Sequence, residues 1–144
     1  MAVYFFNEDI DFPQINKTQV KRWLQTIVKN HTQVLGDINY IFTSDAYILK
    51  INIEYLKHDY YTDVITFDYT ENNKISGDIY ISLDTVKSNA ELLKQEYNIE
   101  LHRVIIHGIL HLIGFKDKNE QDSKEMRKQE EISLEILENI LNNK

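Results

Sequence analysis

Two histidines four residues apart, His107 and His111, carry the clearest chemical signal in this 144-residue chain. Four residues turn an α-helix by about 400°, so both imidazoles leave one face about one turn apart. That separation suits two ligands on a single tetrahedral zinc ion. Gly114 follows where a helix end would fall, and a left-handed residue there lets the chain double back. After such a reversal Asp117 can return a carboxylate to the same ion. Three protein ligands and one open position mark a catalytic rather than a structural site. The bland alternative is a pair of hydrogen-bonded core histidines. Two details weigh against it. Val104, Ile105, Ile106, Ile109, Leu110, Leu112 and Ile113 make the segment apolar on nearly every side, and imidazoles inside it are costly unless partnered. Gly108 sits inside the same helix, where it costs about 1 kcal/mol relative to Ala. Close helix packing or space beside an ion would offset that cost.

Hydrophobic period and turn chemistry supply the elements that must hold these residues. Strands are expected over 2–6, 38–42, 64–67 and 75–81, and helices over 17–30, 45–54, 83–97, 100–113 and 123–141. Helical crossovers between the first three strands favour parallel pairing. The short turn at Glu71-Asn72-Asn73 favours an antiparallel hairpin between strands three and four. The expected fold is therefore α+β. One domain over 1–144 has a mixed four-stranded sheet, three strands parallel and one antiparallel. About five helices pack on it, with the metal site on a central helix. The last helix reads as a solvated acidic face over a stripe of Ile132, Ile136, Leu137, Ile140 and Leu141.

Composition narrows the functional classes. The absence of Cys removes disulfides, thiolate catalysis and Cys-based zinc sites, and fits a reducing, cytoplasmic setting. No apolar run approaches the ~20 residues of a membrane-spanning helix, so no membrane partner is expected. Residues 1–12 carry acids and no Lys or Arg, unlike a secretion signal. The net charge of −7 argues against nucleic-acid binding through the whole surface and leaves room for a local patch.

The spacing is similar to that of metzincin peptidases, whose ligands fall at relative positions 0, 4 and 10 with Gly at 7. Those enzymes place a Glu base directly after the first His, where this chain has Gly108, so peptide hydrolysis ranks low. A closer resemblance covers three ordered blocks. HGILHLIGFKD at 107–117 resembles the signature HGxLHLxGYDH of the YbeY-type rRNA maturation factors. INIEYLKHDYYTDVITF at 51–67 resembles their LNxxYRxKDxPTDVLSF, and GDIYIS at 77–82 their GDIxIS. The family consists of bacterial metal-dependent endoribonucleases.

The resemblance implies a single-strand-type RNA hydrolase in rRNA maturation and ribosome biogenesis. Its metal site would be His107, His111 and Asp117, with Zn²⁺ as the ion and Mn²⁺ or Ni²⁺ as alternatives. Ribosomal RNA would be the substrate, and the ribosome or a ribosomal protein a partner. Two departures stand out. Asp117 replaces the family's third His, and Leu56 replaces an Arg that would meet a phosphate oxygen. Lys57 and His58, with Lys116, are the candidate substrate contacts. No residue is an evident general base, so an ion-activated water would carry that role. Two other classes stay open: a non-catalytic ribosome assembly factor with a structural metal, and a metallopeptidase-like hydrolase. Asp63 and Asp78 match family positions, and either supports the ligands or closes a turn or strand end. His31 and His102 read as surface residues, and most tyrosines as packing.

Overall fold

Four helices begin at a side-chain cap, the last at Asn119, whose Oδ1 accepts from Asp122 N–H at 2.8 Å. Asn16, Ser44 and Ser82 accept hydrogen bonds from the backbone N–H of Gln19, Tyr47 and Thr85, satisfying donors that a helix start leaves unpaired. The computed structural model describes residues 2–56 and 63–142. In chain order these form β1 (Ala2–Asn7), α1 (Lys17–Asn30), β2 (Val34–Thr43) and α2 (Asp45–Ile51), which runs on into a π-helical turn at Asn52–Leu56. Then come β3 (Val64–Asp68), β4 (Lys74–Ser82), α3 (Leu83–Leu92), α4 (Tyr97–Ile113) and α5 (Glu120–Asn142).

The sheet order is β1-β2-β4-β3. β1, β2 and β4 are parallel and β3 is antiparallel to β4. The mixed sheet of three parallel strands and one antiparallel strand is as expected, and so is the β3–β4 hairpin. The expectation that strands one to three run parallel is corrected: β3 is the antiparallel strand. Val64 pairs with Ile81, whose other neighbour is Phe42 near the end of β2. The chain thus re-enters the sheet at the end it left. The seven-residue α2 spans about 10 Å, against about 33 Å for the ten-residue β2. By itself that helix does not return the chain to the opposite end.

Alternation along β4 divides the core. Ile75, Ile79 and Ile81 join Trp23 and Leu24 of α1, Tyr40 and Phe42 of β2 and the apolar run of α4 in one buried cluster. Tyr80 instead flanks a smaller cluster of Ile48, Ile51 and Ile65 beneath α2. Trp23 Nε1 donates to the Ser133 carbonyl at 2.7 Å, fastening α5 to α1.

Helix ends also differ from expectation. The segment 83–97 is broken after Leu92, because Lys94 takes φ +54° and Glu96 is extended. Gln95 N–H then donates to the Ala90 carbonyl, and α4 starts at Tyr97. The apolar pair that prolonged the helical pattern, Leu92 and Leu93, faces solvent. The segment 45–54 divides between α2 and the π-helical turn. In α5 the buried stripe is Met126, Glu130, Ser133 and Leu137, while Ile132 and Leu141 are exposed.

Close approach accounts for Gly108. A Cβ there would stand 2.8 Å from Ile79 Cγ2, so the missing side chain lets α4 lie directly on β4.

Candidate metal centre

α4 buries its apolar side on the sheet and leaves His107 and His111 half-buried on the side that meets α5 and the turn after Ile113. Their rings are 4.5 Å apart and nearly perpendicular, at 86°. His107 Nδ1 lies 2.6 Å from Glu130 Oε2, and His111 Nδ1 lies 3.0 Å from the Phe115 carbonyl oxygen. Both partners accept, so each Nδ1 carries the proton and each Nε2 keeps a lone pair for an ion.

The turn that supplies the Phe115 carbonyl is built by Gly114 at φ +129°. Phe115 N–H donates to the Leu110 carbonyl and Gly114 N–H to the His111 carbonyl, closing the helix as a Schellman motif. The reversal brings back the exposed Asp117, whose Oδ1 accepts from Ser123 Oγ at 2.5 Å. One ligand atom each from His107, His111 and Asp117 lies within 4.8 Å of the others. Two imidazole nitrogens and one carboxylate oxygen are a donor set that suits a borderline ion such as Zn²⁺.

Behind His107 lies a charged network. Arg103 Nη1 donates to Glu130 Oε1 at 3.0 Å, while Arg103 Nε and Nη2 donate to Glu100 at 2.9 and 2.6 Å. Asp63 Oδ2 stands 3.8 Å from Arg103 Nη2. Burial pushes the Glu130 carboxyl up, but the His107 hydrogen bond and the Arg103 charge outweigh it and hold the group below its ordinary value. Burial also lowers the His111 imidazole, and neighbouring His107 lowers it further. A neutral imidazole is the form that binds metal.

The other sequence-predicted residues scatter. Lys57 and His58 lie outside the described residues, as do Tyr60 and Tyr61. Lys116 is exposed beside Asp117. Asp63 meets Arg103, and its carbonyl also accepts from Ser82 N–H. Asp78 instead bonds Asn39 and Tyr69; as a neighbour of Ile79 on β4 it points away from α4. His102 is buried against Trp23 with Nδ1 2.7 Å from the Asn98 carbonyl, and is not a surface residue. His31 is half-buried with its ring against Phe115. Tyr40 packs in the core, but Tyr55, Tyr69 and Tyr97 are exposed.

Sequence reasoning missed Glu100, Arg103 and Glu130. The available signal was a glutamate recurring on the buried period of α5, between Met126 and Ser133.

The family model described as Endoribonuclease YbeY matches residues 5–138. A Parabacteroides distasonis protein named Endoribonuclease YbeY is 53% identical over 95% of this chain and 96% of its own length. One of the same name from Porphyromonas gingivalis is 48% identical over 96% of this chain and 92% of its own length. A Thermotoga maritima protein with a known solution structure superposes with a TM-score of 0.66 at 29% identity. That match covers 94% of this chain and 89% of the other. A match over nearly the whole length, in sequence and in fold, places the chain in the YbeY family.

Proposed function

We propose that this protein is a metal-dependent endoribonuclease acting on ribosomal RNA during its maturation, with His107, His111 and Asp117 holding one Zn²⁺. The convergence of those three donors within 4.8 Å, in a chain of this family, carries the reading. The ion, when bound, supplies Lewis acidity, making water nucleophilic near neutral pH and drawing charge from a phosphate oxygen. The chain does the rest. Glu130 and the Phe115 carbonyl hold the Nδ1 protons, so both imidazoles offer Nε2. Ser123 steadies one oxygen of Asp117. A carboxylate in place of a third imidazole lowers the site charge by one, which makes Mn²⁺ or Ni²⁺ more acceptable than in an all-histidine site. Leu56 supplies no cation, so phosphate contact falls to Lys116 and to Lys57 and His58.

A ribosomal partner and a cytoplasmic setting belong to the same proposal. Among the described residues no helix is long and apolar enough to cross a membrane. Peptide hydrolysis is disfavoured on geometry. A side chain at 108 would run into Ile79, so that position cannot present a base to the ion. The deciding test compares wild type and His111→Ala on a defined single-stranded RNA with Zn²⁺ supplied. Cleavage is expected to drop by at least about 100-fold in the variant. Equal cleavage by both overturns the proposal. Absence of cleavage by zinc-loaded wild type, with ribosome binding retained, would favour the assembly-factor reading.

A further inference from the structure

Arg103 lies one turn before His107 on α4, and its guanidinium is the hub of a chain of contacts that ends on that histidine. It forks onto Glu100 through Nε and Nη2 at 2.9 and 2.6 Å, and reaches Glu130 through Nη1 at 3.0 Å. The other oxygen of Glu130 is the one 2.6 Å from His107 Nδ1. Glu100 is 0% exposed and Glu130 3%. Burying two carboxylates and a guanidinium is expensive, and apolar residues of the same volume commonly serve stability as well or better. A network kept at that cost calls for a purpose other than stability.

Its geometry suggests one. A carboxylate held by His107 alone could swing about its own torsions, whereas a planar donor on the opposite oxygen fixes its orientation. Glu100 fixes the donor in turn, through both remaining guanidinium nitrogens. We propose that Arg103, anchored by Glu100, is a positioning residue of the metal centre. It orients Glu130, and through Glu130 it holds His107 with Nε2 free, so it sets divalent-ion affinity without touching the ion. This rests on reading His107 as a ligand.

The test measures the Zn²⁺ dissociation constant of the full chain by competition with a chromophoric chelator. ¹⁵N spectra of the zinc-free protein report the His107 tautomer alongside. Arg103→Lys keeps the charge but cannot serve both glutamates through one planar fork. Glu130→Gln keeps an acceptor for His107 and removes the charge that Arg103 grips. Each variant is expected to weaken Zn²⁺ binding about 10- to 100-fold. The double variant should be little weaker than either single one, because both act through the same chain of contacts. The His107 Nδ1–H form should lose its dominance in Arg103→Lys. A purely structural network would lower the melting temperature of the zinc-free variants and leave their zinc constants at the wild-type value, and that result overturns the proposal. So does failure of both variants to fold. Wild type that fails to bind Zn²⁺ removes the ligand reading itself. Wild type that binds while Arg103→Lys binds equally removes only the role given to Arg103.

Discussion

Asp117 differs in kind from its two companions. The imidazoles sit half-buried in a rigid helix, each with a fixed partner, whereas Asp117 is exposed on the returning chain and steadied by one hydroxyl. It brings a hard oxygen and a negative charge to the donor set, and hard donors narrow the gap between Zn²⁺ and Mn²⁺. Replacing Asp117 by His should therefore raise the ratio of Zn²⁺ to Mn²⁺ affinity about tenfold or more, read by competing the two ions for one site. An unchanged ratio would mean that residue 117 does not reach the ion. This residue was visible in the sequence because His107, His111, Gly114 and Asp117 belong to one short stretch whose spacing converts directly into helix and turn geometry. Glu130 showed only as a glutamate on the buried period of α5, and its partner could not be read, since it is 23 residues away from His107 and arrives through the docking of α5. A local pattern cannot register a partner delivered by tertiary packing, and acids on a terminal helix ordinarily face water.

At the level of elements, the centre depends on how closely α4 lies on β4. Gly108 permits contact with Ile79, and Gly77 permits contact with Leu112, whose side chain would stand 3.2 Å from an added Cβ. Gly108→Ala should gain about 1 kcal/mol of helix propensity but meet Ile79 at 2.8 Å. Overpacking costs about 1–3 kcal/mol, so the net change should be a destabilisation of about 1 kcal/mol, measured as a lower urea midpoint at unchanged slope. A stabilised variant would show that the helix can ride up without penalty. The sequence could raise the question of Gly108 but not answer it, because the answer lies in a side chain on β4. The strands and the β3–β4 hairpin were readable from alternation and turn residues. The direction of β3 was not, since it depends on where the whole link from β2 delivers the chain. The break after Leu92 escaped because Leu92 and Leu93 continue the apolar period while lying on the surface.

At the scale of the whole molecule, an acidic protein that acts on a polyanion must confine its favourable contacts to a small area. The net charge is −7, and Arg103, one turn before His107 on α4, is already divided between Glu100 and Glu130. That guanidinium is therefore not free to displace counterions from RNA, and Leu56 lacks the cation that the family's signature would add. Each phosphate neutralised on a single strand contributes about −0.7 to the slope of log K against log salt. With Lys57, His58 and Lys116 as the proposed contacts, at most three phosphates are neutralised, so the slope for a short single-stranded RNA should be no steeper than about −2. Titrating that RNA at several potassium chloride concentrations, with Zn²⁺ held constant, measures it. Leu56→Arg should steepen the slope by about 0.7, as expected for one added phosphate contact. A steeper wild-type slope would show that further basic side chains meet the RNA, and it would overturn the three-contact footprint.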